Sequence, residues 1–172
     1  DNVKAPIEAA ARALARAGAR LDFKARPDFD AQHAQGVSSH LLMATLGARR
    51  PDYEVLARQR AQLSDSDQSP AAVQLGMSTA SFKQWFDAHQ QREQLRWAWH
   101  DFFQRHDLLL APVTATAAFL HDHSEPMGAR RLRVNGQDAP YFGQLFWAGL
   151  ATASYLPATA APVGLTPDGL PV

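Results

Sequence analysis

The chain has no cysteine. That excludes disulfides, thiolate nucleophiles and cysteine-based zinc sites, and it fits a reducing compartment. Lysine is scarce: Lys4, Lys24 and Lys83 stand alone, none in the glycine- or serine-rich setting that would mark a general base. Neither sign of charge is in excess. The 17 Lys and Arg residues balance 17 Asp and Glu residues, so no overall field favours nucleic acid or an anionic membrane. No apolar run approaches the roughly 20 residues of a membrane helix. The opening residues Asp1-Asn2-Val3-Lys4 contain neither an initiator Met nor a signal-peptide core, and they read as the start of a cut piece. Arg12, Arg16 and Arg20 read as an exposed helix face rather than a transit peptide, because the same segment carries acidic Asp1, Glu8 and Asp22.

What is present is an ordinary globular mix. Of the 172 residues, 46% are hydrophobic and 20% charged, which suits one or at most two domains with a real core. Pro6 opens an Ala-rich helix over Ile7 to Ala17, Gly18 stands at its C-terminal cap, and Leu21-Asp22-Phe23 alternates like a short strand. Pro27-Asp28 starts a second helical stretch through Leu46, closed by Gly47, and Pro51-Asp52 starts a third. Asp65 to Pro70 reads as a polar loop. Ser78 or Thr79 can cap a long helix from Ala80 to His106, whose Phe82, Trp85, Phe86, Leu95, Trp99, Phe102 and Phe103 follow helical spacing and read as core. Leu108 to Ala111 reads as a buried strand, Val113 to Pro140 as a long loop, Tyr141 to Ala153 as an apolar helix and Leu156 to Val163 as a strand. Thr166-Pro167-Asp168-Gly169 is a turn, and the apolar run after it reads as a strand whose partner is missing. Buried strands separated by helices predict an α/β, helix-rich fold with a parallel or mixed sheet. The organisation expected is one unit, with a helix–strand segment over 1–26, a helical segment over 27–106, and strand, long loop, helix and strand over 107–172.

Several clusters invite chemistry. His121-Asp122-His123 is the most metal-like, since alternate residues of an extended loop can face one ion, but no third ligand is identifiable and a solvated loop is the plainer reading. Gly36-Val37-Ser38-Ser39-His40 resembles a serine-hydrolase fragment, yet it has one glycine and lies inside a helical pattern. His100, Asp101, His106 and Asp107 gather at the end of the long helix, where His106 suits the helix dipole. No phosphate-binding glycine loop, dinucleotide fingerprint or H-E-x-x-H occurs. No complete catalytic set is readable, and no cofactor or metal is expected.

Two blocks carry a family resemblance. Arg92, Leu95, Phe103, Asp107, Leu109 and Pro112 resemble the long helix, short strand and proline of the amidase signature family. Leu156-Pro157-Ala158, Pro162-Val163-Gly164 and Gly169-Leu170-Pro171-Val172 resemble its Pro-Ala, Pro-Val-Gly and Gly-Leu-Pro-Val-Gly segment. Pro6 to Phe23 also resembles the stretch that follows that family's catalytic core. Where the family often has Asn and Gly before its Pro-Ala, this chain has Thr152 and Tyr155; where it often has Pro-Thr, this chain has Pro112-Val113.

The resemblance implies the C-terminal part of an amidase-signature mixed-sheet fold, with the sheet incomplete in this chain and Gly169 to Val172 leading into its next core strand. It implies hydrolysis of carboxamide C–N bonds through a Ser nucleophile, a second Ser and a Lys base. No position here matches those three, so the nucleophile is expected outside this chain, and the chain alone is expected to be inactive. The same resemblance gives the helix before the Pro-Ala segment a pocket-wall role. Phe142, Leu145, Phe146 and Gly149 share one face of it at i, i+3, i+4 and i+7, either as pocket lining or as core packing. The expected partner is a small-molecule amide, with no nucleic acid and no membrane. The expected location is cytoplasmic, and a homodimer is the candidate assembly. Two alternatives stand beside this reading: the amidase-fold subunit of a tRNA-dependent amidotransferase, and a non-enzymatic helical binding domain.

Overall fold

The computed structural model describes residues 2–172. Helix α1 spans Lys4–Arg16 and carries exposed Lys4–Glu8 and Glu8–Arg12 pairs at 3.5 and 3.6 Å. Such surface pairs contribute little. Gly18 ends the helix, donating its N–H to the Ala15 carbonyl. The strand expected at Leu21–Phe23 is a turn instead. The Asp22 carboxylate accepts the N–H groups of Lys24 and Ala25 at 2.8 and 3.0 Å, which bends the backbone where a strand would need it straight.

Helix α2, Ala31–Ala48, is the centre of the molecule and packs on α4 (Pro70–Ser78), α5 (Phe82–Phe103) and α6 (Leu145–Thr152). It starts at Ala31 rather than at Pro27, because Asp30 is the residue whose carboxylate accepts the His33 N–H, at 2.7 Å. Ala34, Val37 and Leu41 meet Ala88 and Leu95 of α5 in the core, flanked by Phe29, Trp85 and Leu150. Gly47 lies inside α2 rather than closing it, and there the helix presses on the last residue of α4. A Cβ on Gly47 would stand 1.9 Å from the Ser78 carbonyl oxygen. Helix α3, Tyr53–Ala61, follows Pro51-Asp52 as expected. Helix α4, Pro70–Ser78, was not anticipated. Ser69 caps it by accepting the Ala72 N–H, with Pro70 at the first helical position.

Helix α5, Phe82–Phe103, is the longest. Ser81, rather than Ser78 or Thr79, caps it. Its hydroxyl accepts the Gln84 N–H, and the Gln84 side chain accepts the Ser81 N–H. The helix ends before His106, whose ring stacks on Phe102 at 4.4 Å. Trp99 and Phe102 are buried, and Phe29 meets Trp99 edge to face at 5.4 Å.

The second half departs furthest from expectation. Leu108–Ala111 takes no regular structure and pairs with no strand among the described residues, and Leu108 is 85% exposed. The stretch read as one long loop contains a hairpin, β1 (Arg131–Val134) and β2 (Gln137–Pro140), paired antiparallel from Arg131↔Pro140 to Val134↔Gln137. Its turn is Asn135-Gly136, with φ of +51° and +81°. A two-residue turn with both φ positive matches the twist of paired strands, and Asn-Gly is the pair that accepts it best. A 3₁₀ turn over Tyr141–Gln144 leads into α6, Leu145–Thr152.

Leu156–Pro162 is irregular rather than a strand. The arms of the Thr166–Gly169 turn pair with each other instead of awaiting a partner. Leu165 bridges Pro171, Val172 donates to Gly164, and Val163 donates to Val172. Among the described residues the sheet is therefore two-stranded and antiparallel, not parallel or mixed. The fold is helix-rich with a small antiparallel sheet.

Candidate functional site

The expected pocket-wall helix does not begin as an α-helix. Tyr141–Gln144 turns at three residues per turn, and the α-period starts at Leu145. The i, i+3, i+4, i+7 face is therefore twisted at its first member. Gly149 faces α2, where a Cβ would stand 2.9 Å from the Ser38 hydroxyl oxygen. Phe142 and Leu145 lie at the surface, 41% and 46% exposed. Phe146 is half-buried and meets Trp147 edge to face at 5.0 Å. The structure thus brings Gly149 against α2 and sets Phe142 and Leu145 outward.

The loop after Pro112 folds back onto this element. The Gln144 side-chain carbonyl accepts the Ala115 N–H at 2.9 Å, and its amide donates to the Thr116 hydroxyl at 2.9 Å. Phe119 meets Tyr141 edge to face at 6.0 Å, and the Arg130 guanidinium lies over the Tyr141 ring. On the far side of α6, Tyr155 adopts φ of +58°. Its ring lies under the guanidinium groups of Arg92 and Arg96, at 4.5 and 5.5 Å.

Ser38, Ser39 and His40 stand in mid-helix on α2. Backbone N–H groups there are committed to the helix and offer no oxyanion donors. His40 keeps its Nε2 buried without a hydrogen-bond partner, beside a groove of about 380 Å³ between α2 and α5 that His33, Gln84 and Asp87 also line. A second groove, about 660 Å³, runs between Pro6 and Ala9 of α1 and the Val163–Pro167 arm. Neither groove is lined by Phe142, Leu145, Phe146 or Gly149.

The His121 and His123 rings meet edge to face at 5.8 Å. Asp122 turns to Ser124, whose hydroxyl and backbone N–H hold its carboxyl below the ordinary aspartate range. No group of three or more His, Asp or Glu side chains gathers to hold a metal among the described residues. Of the helix-end cluster, His100 packs against Trp97 and His106 against Phe102. The His106 charge also helps to lower the Asp22 carboxyl, after the stronger pull of the Lys24 N–H. Sequence reasoning missed the Gln144 bridge and the Tyr155–arginine stack, neither of which has a local signature.

This is a helix-rich scaffold with a small antiparallel β-hairpin, and the Amidase family model matches it over residues 1–172. The chain belongs to the amidase family, and its activity class at that level is amidase-type hydrolysis. No curated protein matches it. No helix among the described residues is long and apolar enough to cross a membrane.

Proposed function

We propose that the chain is the C-terminal scaffold and substrate-pocket wall of an amidase that hydrolyses small carboxamides through a Ser nucleophile located outside residues 1–172. The observation that carries the reading is the family match across the whole chain. The engagement of this chain's own side chains supports it. Ser69 and Ser81 cap helices, Ser64 and Ser66 bond each other in an exposed loop, and Lys83 is paired with Asp87. None of these is a serine held by a lysine base.

In this reading Phe142, Leu145, Phe146 and Gly149 belong to the wall, with Phe142 and Leu145 turned toward the amide. Residues 1–172 act as one unit within an amidase-signature mixed sheet completed by the rest of the protein. The partner is a small-molecule amide rather than nucleic acid or membrane, the location is cytoplasmic, and the assembly is a homodimer. The test is ammonia release from benzamide and hexanamide by the complete protein. Release that Phe142→Ala and Leu145→Ala weaken through KM supports the reading. Failure to release ammonia from either amide would sink it.

A further inference from the structure

We infer that Gln144 is a positioning residue for substrate selection: its side chain locks the Thr114–Phe119 loop beside Phe142 and Leu145, making that loop the second wall of the site. The inference rests on the pocket-wall reading above and names a part of the chain that the reading leaves out. Gln144 occupies the N-cap position of α6 but makes no capping hydrogen bond there. Its polar atoms reach 29 and 28 positions back along the chain, to Ala115 and Thr116. Local bonds such as Thr45 to Leu41 or Arg131 to Asp138 span only 4 and 7 positions.

The two bonds also fix the amide's orientation. Exchanging its oxygen and nitrogen would set two N–H donors against each other at Ala115. The loop is braced inside itself as well, since the Thr114 hydroxyl donates to the Thr116 carbonyl at 2.7 Å. Phe119 on Tyr141 then closes the loop's far end. A connection of this length without regular structure pays ordering entropy. Here one glutamine and one aromatic contact hold it to the element that carries Phe142. Nothing in the stability of α6 requires a glutamine at this position, because Gln is a weak capping residue and does not cap here.

The experiment uses the complete protein and four probes: acetyl, butyryl, hexanoyl and benzoyl p-nitroanilide. Gln144→Met removes both bonds at nearly constant volume. Gln144→Glu retains them, because its carboxylate accepts the Ala115 N–H and the Thr116 hydroxyl turns to donate. Thr116→Val removes one bond and guards against a misfolded Met variant. Loss of the exposed bond to Ala115 together with the part-buried bond to Thr116 predicts about tenfold faster hydrogen exchange at the Ala115 N–H and about a tenfold rise in KM for the hexanoyl and benzoyl probes. The turnover number stays within about twofold, and the acetyl probe is nearly unaffected. Gln144→Glu restores both readouts, and Thr116→Val falls between.

Unchanged exchange at Ala115 in Gln144→Met overturns the lock. Faster exchange with an unchanged ranking of the four probes overturns the positioning role while leaving the hydrolase reading intact. An equal fall in turnover number on every probe does the same. A wild-type protein that cleaves no carboxamide overturns both readings.

Discussion

Two glycines in α2 make opposite demands on an added methyl group. At Gly36 a Cβ would meet nothing within 4 Å, whereas at Gly47 it would stand 1.9, 2.6 and 2.8 Å from the Ser78 oxygen, carbonyl carbon and Cα. Ordinary contact begins near 3.4 Å. The obstacle is backbone at the last residue of α4, so no rotamer change relieves it, and α2 and α4 must part. Both Gly→Ala changes gain the same helix propensity, roughly 0.5–1 kcal/mol. Comparing the two variants removes that gain and leaves the overpacking cost, about 1–3 kcal/mol or more. Gly36→Ala is therefore expected to match or exceed wild type, and Gly47→Ala to fall below Gly36→Ala by that amount. In a chain of this size each kcal/mol moves the melting temperature by roughly 2–4 °C. Urea unfolding followed by far-ultraviolet circular dichroism reads the difference directly. A Gly47→Ala protein as stable as Gly36→Ala would refute the α2–α4 contact as described.

Three further expectations follow from local geometry. Tyr155 holds φ of +58° under two guanidinium groups, so Tyr155→Gly trades about 1 kcal/mol of relieved strain against a similar loss of cation–π stabilisation and stays near neutral. Tyr155→Ala loses the stacking and keeps the strain; thermal melts that rank Ala above Gly would contradict this. Ser81→Ala deletes the α5 cap and costs about 1 kcal/mol in denaturant unfolding, an expectation that fails if the midpoint does not move. Asp22, Asp52, Asp67 and Asp122 sit below the ordinary aspartate value, held chiefly by the Lys24 N–H, the Arg50 guanidinium, the Ser69 N–H and the Ser124 hydroxyl respectively. A depressed folded value means the folded state binds fewer protons. Stability is then full above the ordinary value of 3.8 and declines as pH falls through the lower folded values. Asp22 is exposed and Asp52, Asp67 and Asp122 are only partly covered, so the decline is small and weakens with salt. Carbon-13 carboxyl titrations with midpoints at or above 3.8 would contradict it.

The helices were legible because their evidence is local. Pro6, Gly18 and the Pro51-Asp52 pair announce ends that lie within a turn of themselves. Boundaries slipped where several caps compete, as at Ser78, Thr79 and Ser81, and only Ser81 has Gln84 three residues on to complete the box. Ser69-Pro70 and Asn135-Gly136 were readable signals that the polar-loop and long-loop readings covered over. The strands were less legible because a strand is defined by its neighbour. Leu108–Ala111 and Leu156–Val163 have the right residues, but the described chain sets no strand beside them. Within the site, the spacing of Phe142 to Gly149 was visible, while the change from 3₁₀ to α-period at Leu145 was not. The Gln144 bridge is a tertiary fact, since nothing near position 144 specifies residues 115 and 116.

The measurement closest to the central claim is adduct mapping. The complete protein is labelled with a fluorophosphonate, digested, and the modified serine is located by mass spectrometry. The account predicts one adduct, on a serine outside residues 1–172, with Ser38 and Ser39 unmodified in mid-helix. An adduct on Ser38, Ser39 or any other serine of this chain would contradict the placement of the nucleophile, and the absence of any adduct would contradict the serine-hydrolase mechanism itself.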